Sequence, residues 1–216
     1  VEAGPRMASA DMFHIDIKGQ AGHGAQPEQC VDATIVAASL VNNLQPLVSR
    51  EVSPIDSLVI TVGKLTSGTR FNVISGSAHL EGTTRYFTPE LSNNIEKMME
   101  RVVTHTAQMY RAEAKLDYHF LTYPVINEET STLRAQNAVK KILGDNALQS
   151  IPRVTGGEDF SEYLKQKPGC FAFVGARNTA IGADKPHHNG CFNVDESVFK
   201  DGAALYAQYA YDFLSE

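Results

Sequence analysis

Long apolar runs, a basic face and a disulfide-sized set of cysteines are all missing from this 216-residue chain. Each absence removes a class of function. No stretch approaches the roughly 18 to 20 apolar residues of a membrane span, and the start VEAGPRMASA lacks the pattern of a secretory leader. A net charge of −6 argues against nucleic acid as a partner, because phosphate binding needs a basic face. The three cysteines, Cys30, Cys170 and Cys191, are odd in number and far apart. They fit a reduced, cytoplasmic setting better than a disulfide scaffold. No glycine-rich phosphate motif, no G-x-S-x-G elbow and no H-x-x-x-H or C-x-x-C metal spacing is present.

What is present is ordinary globular material, 43% apolar and 20% charged, enough for one large domain or two small ones. The chain opens on Val1 and enters structure at once, which makes a piece of a longer polypeptide the expectation. DMFHIDIK alternates, with Phe13, Ile15 and Ile17 on one face and His14, Asp16 and Lys18 on the other, as a half-buried strand does. Apolar residues from Val31 to Ser49 recur at helical spacing. SLVITVGKL and SAHLEGTTRYF read as two strands that pair. Thr88 and Pro89 open a helix with Leu91, Ile95, Met98, Val102, Thr106 and Met109 on its stripe. AKLDYHFLTY closes the series as a strand. The order β-α-β-β-α-β predicts a ferredoxin-like sandwich.

From Pro124 onward the reading changes. A helix is expected around Ser131 to Leu143, with extended pieces at SIPRVT and CFAFVG, a short helix near Glu158 and a last helix carrying Val198, Leu205, Tyr209 and Phe213. Two short apolar strands cannot complete an α/β layer, so this part belongs to a sheet with further strands elsewhere.

Candidate chemistry is thin. DKPHHNGCF places His187 and His188 in a loop, where rigid scaffolds often present metal ligands, although a solvated pair reads equally well. GGEDF puts Glu158 and Asp159 at a helix start, where the helix dipole already favours carboxylates. NEE at residues 127 to 129 reads as capping. His14, His79, His105 and His119 fall on polar faces and read as surface residues. His23 sits among Gly19, Gly22 and Gly24 in KGQAGHGAQP, a glycine density that suggests close backbone approach to something.

Several stretches together resemble the di-metal aminoacylase and carboxypeptidase family, above all its amidohydrolase branch of hippurate hydrolases, N-acyl-amino-acid deacylases and auxin-conjugate hydrolases. They are GPRMASADMFHIDIKGQAGHGAQP, LQPLVSREVSP, VGKLTSGTRFNVIS followed by LEGTTRYF, GGEDFSEYL, and HHNGCFNVDESVFKDGAAL, in the family's order and over nearly the whole chain. The resemblance implies a ferredoxin-like lid over residues 7–123, through which such enzymes commonly dimerise. It implies that residues 124–216 are the closing part of an α/β metallohydrolase domain whose N-terminal part has no counterpart here. His188 matches the late metal-binding histidine, and His23 the lid histidine that polarises the scissile carbonyl. Asn72 matches the lid asparagine that contacts substrate, and Arg85 holds the family's G-T-x-R position. Here AGHGA stands where GGHAA is common, and Gly190 where proline is frequent.

The chemistry so implied is hydrolysis of an N-acyl-amino acid, assisted by two divalent ions (zinc, manganese, cobalt or nickel) and a glutamate general base. This chain would carry few of those groups and is expected to be inactive by itself, so whether it acts as an enzyme alone stays open. A non-catalytic dimerisation or binding module, or one half of a split enzyme, are the alternatives.

Overall fold

The computed structural model describes residues 1–215. Its strands and helices run β1 (Gly4–Met7), β2 (Asp11–Lys18), β3 (Gly22–His23), α1 (Ala33–Asn43), β4 (Leu58–Ser67), β5 (Val73–Ile74), β6 (Ser77–Tyr86), α2 (Pro89–Met109), β7 (Glu113–His119), β8 (Val125–Asn127), α3 (Glu129–Leu143), α4 (Ser161–Leu164) and α5 (Phe199–Leu214). Two units divide the chain. A sheet unit holds Pro5–Val125 and Arg153–Glu162, and a helical unit holds Val1–Gly4, Ile126–Pro152 and Tyr163–Glu216.

In the sheet unit four strands lie in the order β4-β6-β2-β7, every pair antiparallel. With α1 and α2 in the crossovers, this is the ferredoxin-like βαββαβ arrangement that the alternation predicts. Phe13, Ile15 and Ile17 of β2 point to the helix side, where Leu80 and Tyr86 of β6 meet Val36 and Leu40 of α1 and Ile95, Met99 and Val103 of α2. Each such side chain, fully buried, contributes about 1.5–3 kcal/mol. Strict alternation sends the intervening residues, His14 and Asp16 among them, to the sheet's other face.

Three expectations need adjustment. The single helix expected over Val31 to Ser49 stops at Asn43 and resumes as a π-helical turn over Leu47–Glu51. Pro46, which has no N–H to give the ladder, sits at the junction. On α2 the buried stripe runs through Leu91, Ile95, Met99, Val103 and Thr106 rather than Met98 and Val102, and Met109 is exposed. Steps of four keep the first four of these over one core, so the apolar neighbours at 98 and 102 fall to its margin. In the helical unit CFAFVG joins no ladder among the described residues. Instead the buried Asn127 side chain takes both backbone groups of Phe171, accepting from its N–H at 2.7 Å and donating to its carbonyl at 2.9 Å.

The helical unit rests on α3 against α5. Arg134 of α3 lies over the rings of Tyr209 and Phe213, and Lys141 bonds Asp212 at 2.7 Å. Helix α3 is capped by Glu128, whose carboxylate accepts from the N–H groups of Thr130 at 2.8 Å and Ser131 at 2.6 Å. These bonds hold the Glu128 carboxyl far below its ordinary value, at about 2.

Candidate functional site

The glycine-flanked histidine sits in a small sheet of its own. His23 pairs with Val73 and Gly22 with Ile74, and the Gly24 N–H donates to the carbonyl of Asn72 at 2.9 Å. The approach is close enough to exclude side chains. A Cβ on Gly24 would stand 2.9 Å from that carbonyl oxygen, and one on Gly22 would stand 2.3 Å from Cys30 Sγ. So the glycines do clear space, for the Asn72 backbone and the Cys30 side chain, and the Gly24 bond draws the His23 turn against Asn72.

The imidazole itself faces solvent. Its Nδ1 accepts a hydrogen bond from the Ala25 N–H at 3.1 Å. A ring that accepts at Nδ1 has Nε2 as its donor nitrogen. Asn72 and the fully exposed Phe71 stand on the same turn. The arrangement is an outward-facing hydrogen-bond donor fixed at its base.

Arg85 is not part of that group. Its guanidinium donates to Thr83 Oγ1 and, at 2.8 Å, to the Thr84 carbonyl, and it lies in the field of Asp11. The buried Asp11 accepts from the hydroxyls of Tyr86 at 2.7 Å and Tyr118 at 3.0 Å, and from the Leu121 N–H at 3.2 Å. Burial pushes the Asp11 carboxyl above its usual range, while those donors and Arg85 pull the other way. Both phenols are raised as well, first by burial.

His188 belongs to the helical unit, exposed and at φ 65°, a left-handed backbone that a histidine seldom adopts. The loop around it is braced. His187 stacks edgewise on Phe192 at 4.9 Å and lines a cleft of about 560 Å³ with Val174, Arg177 and Asn193. Asp195 accepts from the Asn178 side chain at 2.7 Å and from the Ser197 N–H at 3.0 Å, which lowers its carboxyl. For Glu158 the structure shows a turn role, with Oε1 accepting from the Phe160 N–H at 3.2 Å.

One constellation escapes the linear reading. On the open face of the sheet, His14 of β2 stands opposite Glu81 of β6, and Asp16 opposite His79. The rings of His14 and His79 stack at 5.6 Å, and His119 of β7 meets His14 edgewise at 5.8 Å. The signal is present as two i, i+2 pairs, His14 with Asp16 and His79 with Glu81, on strands that the ferredoxin-like order makes neighbours.

Comparisons with known proteins agree with one another. A sequence-family model described as Peptidase family M20/M25/M40 matches residues 5–212. The chain is similar to the IAA-amino acid hydrolase ILR1-like 4 of Arabidopsis thaliana, 34% identical over 99% of this chain and 49% of that protein. It is also similar to the N-acetyl-L-cysteine deacetylase of Bacillus subtilis, 34% identical over 95% of this chain and 48% of that protein. Among solved structures, the Bacillus subtilis YXEP protein, described as a dinuclear metal binding peptidase from the M20 family, superposes with a TM-score of 0.80 at 27% identity. That match covers 100% of this chain and 53% of the other. The chain thus spans about half the length of the curated relatives it matches.

Proposed function

The chain belongs to the Peptidase family M20/M25/M40, and on that premise we propose that it is the lid and closing segment of a metal-dependent amidohydrolase acting on N-acyl-amino acids. The observation that carries this reading is the hydrogen bond from the Ala25 N–H to His23 Nδ1, which leaves Nε2 as the ring nitrogen able to donate outward. Amide hydrolysis places growing negative charge on the carbonyl oxygen, and a donor preset for that charge contributes about 3 to 4 kcal/mol. Asn72, fixed to the same turn by the Gly24 hydrogen bond, is suited to hold a polar group of the substrate beside that oxygen. Arg85 uses one guanidinium nitrogen on Thr83 and Thr84 of its own strand, and its remaining N–H groups are those that would serve a substrate carboxylate.

His188 is the residue of this chain suited to hold a divalent cation. Its exposed imidazole projects from a braced loop, and imidazole is a good ligand for zinc, nickel or cobalt. Such a cation would supply Lewis-acid polarisation of the amide carbonyl. The further ligands and the general base would come from a segment outside these residues, so the 216-residue chain alone is expected to be inactive. The names of the relatives, a hydrolase of IAA-amino acids and a deacetylase of N-acetyl-L-cysteine, support a small acylated amino acid as substrate. In the sheet unit β4 and β7 are edge strands, which suits a homodimer formed through the lid. The three free cysteines fit a cytoplasmic setting.

The test is His23→Ala in the polypeptide that carries both this chain and the remaining catalytic segment. The expected outcome is a kcat lowered about 10²- to 10³-fold with metal content unchanged. Loss of metal on that substitution would make His23 a ligand and sink the assignment.

A further inference from the structure

We propose that His14, His79 and Glu81 form a binding site for a divalent transition-metal ion of the zinc class on the open face of the sheet. One ligand atom from each of the three lies within 4.8 Å of the others. His79 Nε2 and Glu81 Oε1 are already 3.4 Å apart. A tetrahedral zinc with bonds of about 2.0–2.2 Å spaces its ligands by roughly that much, so of the three ligands His14 is the one that must close in.

Two further features set this cluster apart from a chance grouping of polar side chains. First, His14 Nδ1 is shielded from solvent and has no hydrogen-bond partner, a state that costs free energy until something coordinates or bonds it. Second, His79 Nδ1 is bonded to Asp16 Oδ1 at 2.7 Å. A carboxylate on that nitrogen keeps the proton there and leaves the Nε2 lone pair for a cation, as partners behind metal-bound histidines do. The donor set, two imidazoles and one carboxylate, suits zinc and neighbouring first-row ions rather than calcium or magnesium.

A competitor already occupies one ligand. Lys64 of β4 donates to Glu81 Oε1 at 2.6 Å and must give way when an ion arrives. Its removal should therefore strengthen binding. Because the ligands come from β2 and β6, the ion would join the two central strands of the sheet from outside the core.

Titration of the 216-residue chain with zinc chloride tests this, read by calorimetry, by the melting temperature and by the imidazole resonances of its histidines. The expected result is that zinc raises the melting temperature and moves the His14 and His79 resonances. His14→Ala combined with His79→Ala should lose that binding. Asp16→Asn should weaken it about tenfold or more, and Lys64→Met should strengthen it. His188→Ala should leave it in place. Circular dichroism of each variant establishes that the sheet is intact. Zinc binding by the double variant equal to that of the wild type would overturn the proposal. So would zinc that moves only other histidines, or no zinc bound at all.

Discussion

At His23 the proton on one imidazole nitrogen decides what the ring can do, and the Ala25 N–H decides where that proton is. The glycines matter because they fix the base of this arrangement. In the polypeptide that also carries the remaining catalytic segment, Gly24→Ala should lower kcat/KM about 10- to 100-fold, since a displacement near 1 Å at a reacting group costs that much. The melting temperature should move little, because the turn is exposed. Hydrolysis kinetics alongside thermal melts would check both. The sequence makes the glycines and the histidine conspicuous, and the family resemblance supplies the carbonyl as a destination. The partner across the turn is another matter: Asn72 stands 49 residues along the chain from His23, and only the pairing of β3 with β5 puts them together. The imidazole cluster on the sheet is lost from a linear reading for the same reason. Its members look like separate surface residues until β2 and β6 are in register.

Among the elements, α3 shows how a terminus is set by one side chain. The NEE stretch was readable as a cap, and the residue that does the capping is Glu128. Its folded carboxyl titrates at about 2, below the ordinary 4.5. A depressed carboxyl gives stability that is complete above the ordinary value and disappears as pH falls toward the folded one. Glu128→Ala should therefore melt below the wild type at neutral pH, and the two should converge between about pH 4.5 and 2. Thermal melts followed by circular dichroism across that range would show it, and a gap that persists at pH 2 would mean the cap acts through packing. The elements of the sheet unit were legible because alternation and helical spacing declare their faces. CFAFVG was not, since an apolar run reads as a strand whether or not a partner is there to complete the ladder. On α2 the apolar residues come in neighbouring pairs, so the pattern alone leaves the phase of the stripe ambiguous by one position.

For the molecule as a whole, the two units differ in how they are held. The main apolar cluster, from Phe13 to Tyr118, lies entirely within the sheet unit. Helix α5 contributes no buried residue, and Tyr206, Tyr211, Phe213 and Leu214 are exposed along it. Opening free energies should differ accordingly. Hydrogen exchange is expected to be fast for the amides of α5 and slowest for the central strands β2 and β6. Equal protection across both would show that the helical unit has more support than its own burial provides.

The buried Asp11 pair of phenols carries one more consequence, an optical one. Tyr86 and Tyr118 are both held above the ordinary tyrosine value of 10, so the folded sheet keeps them as phenols where unfolded chain would release the proton. Alkali above that value therefore pulls toward the open form. The chain has no tryptophan to obscure the near-ultraviolet. A late rise in phenolate absorbance, delayed beyond the tyrosines' normal titration, would time the parting of β2, β6 and β7 without any label.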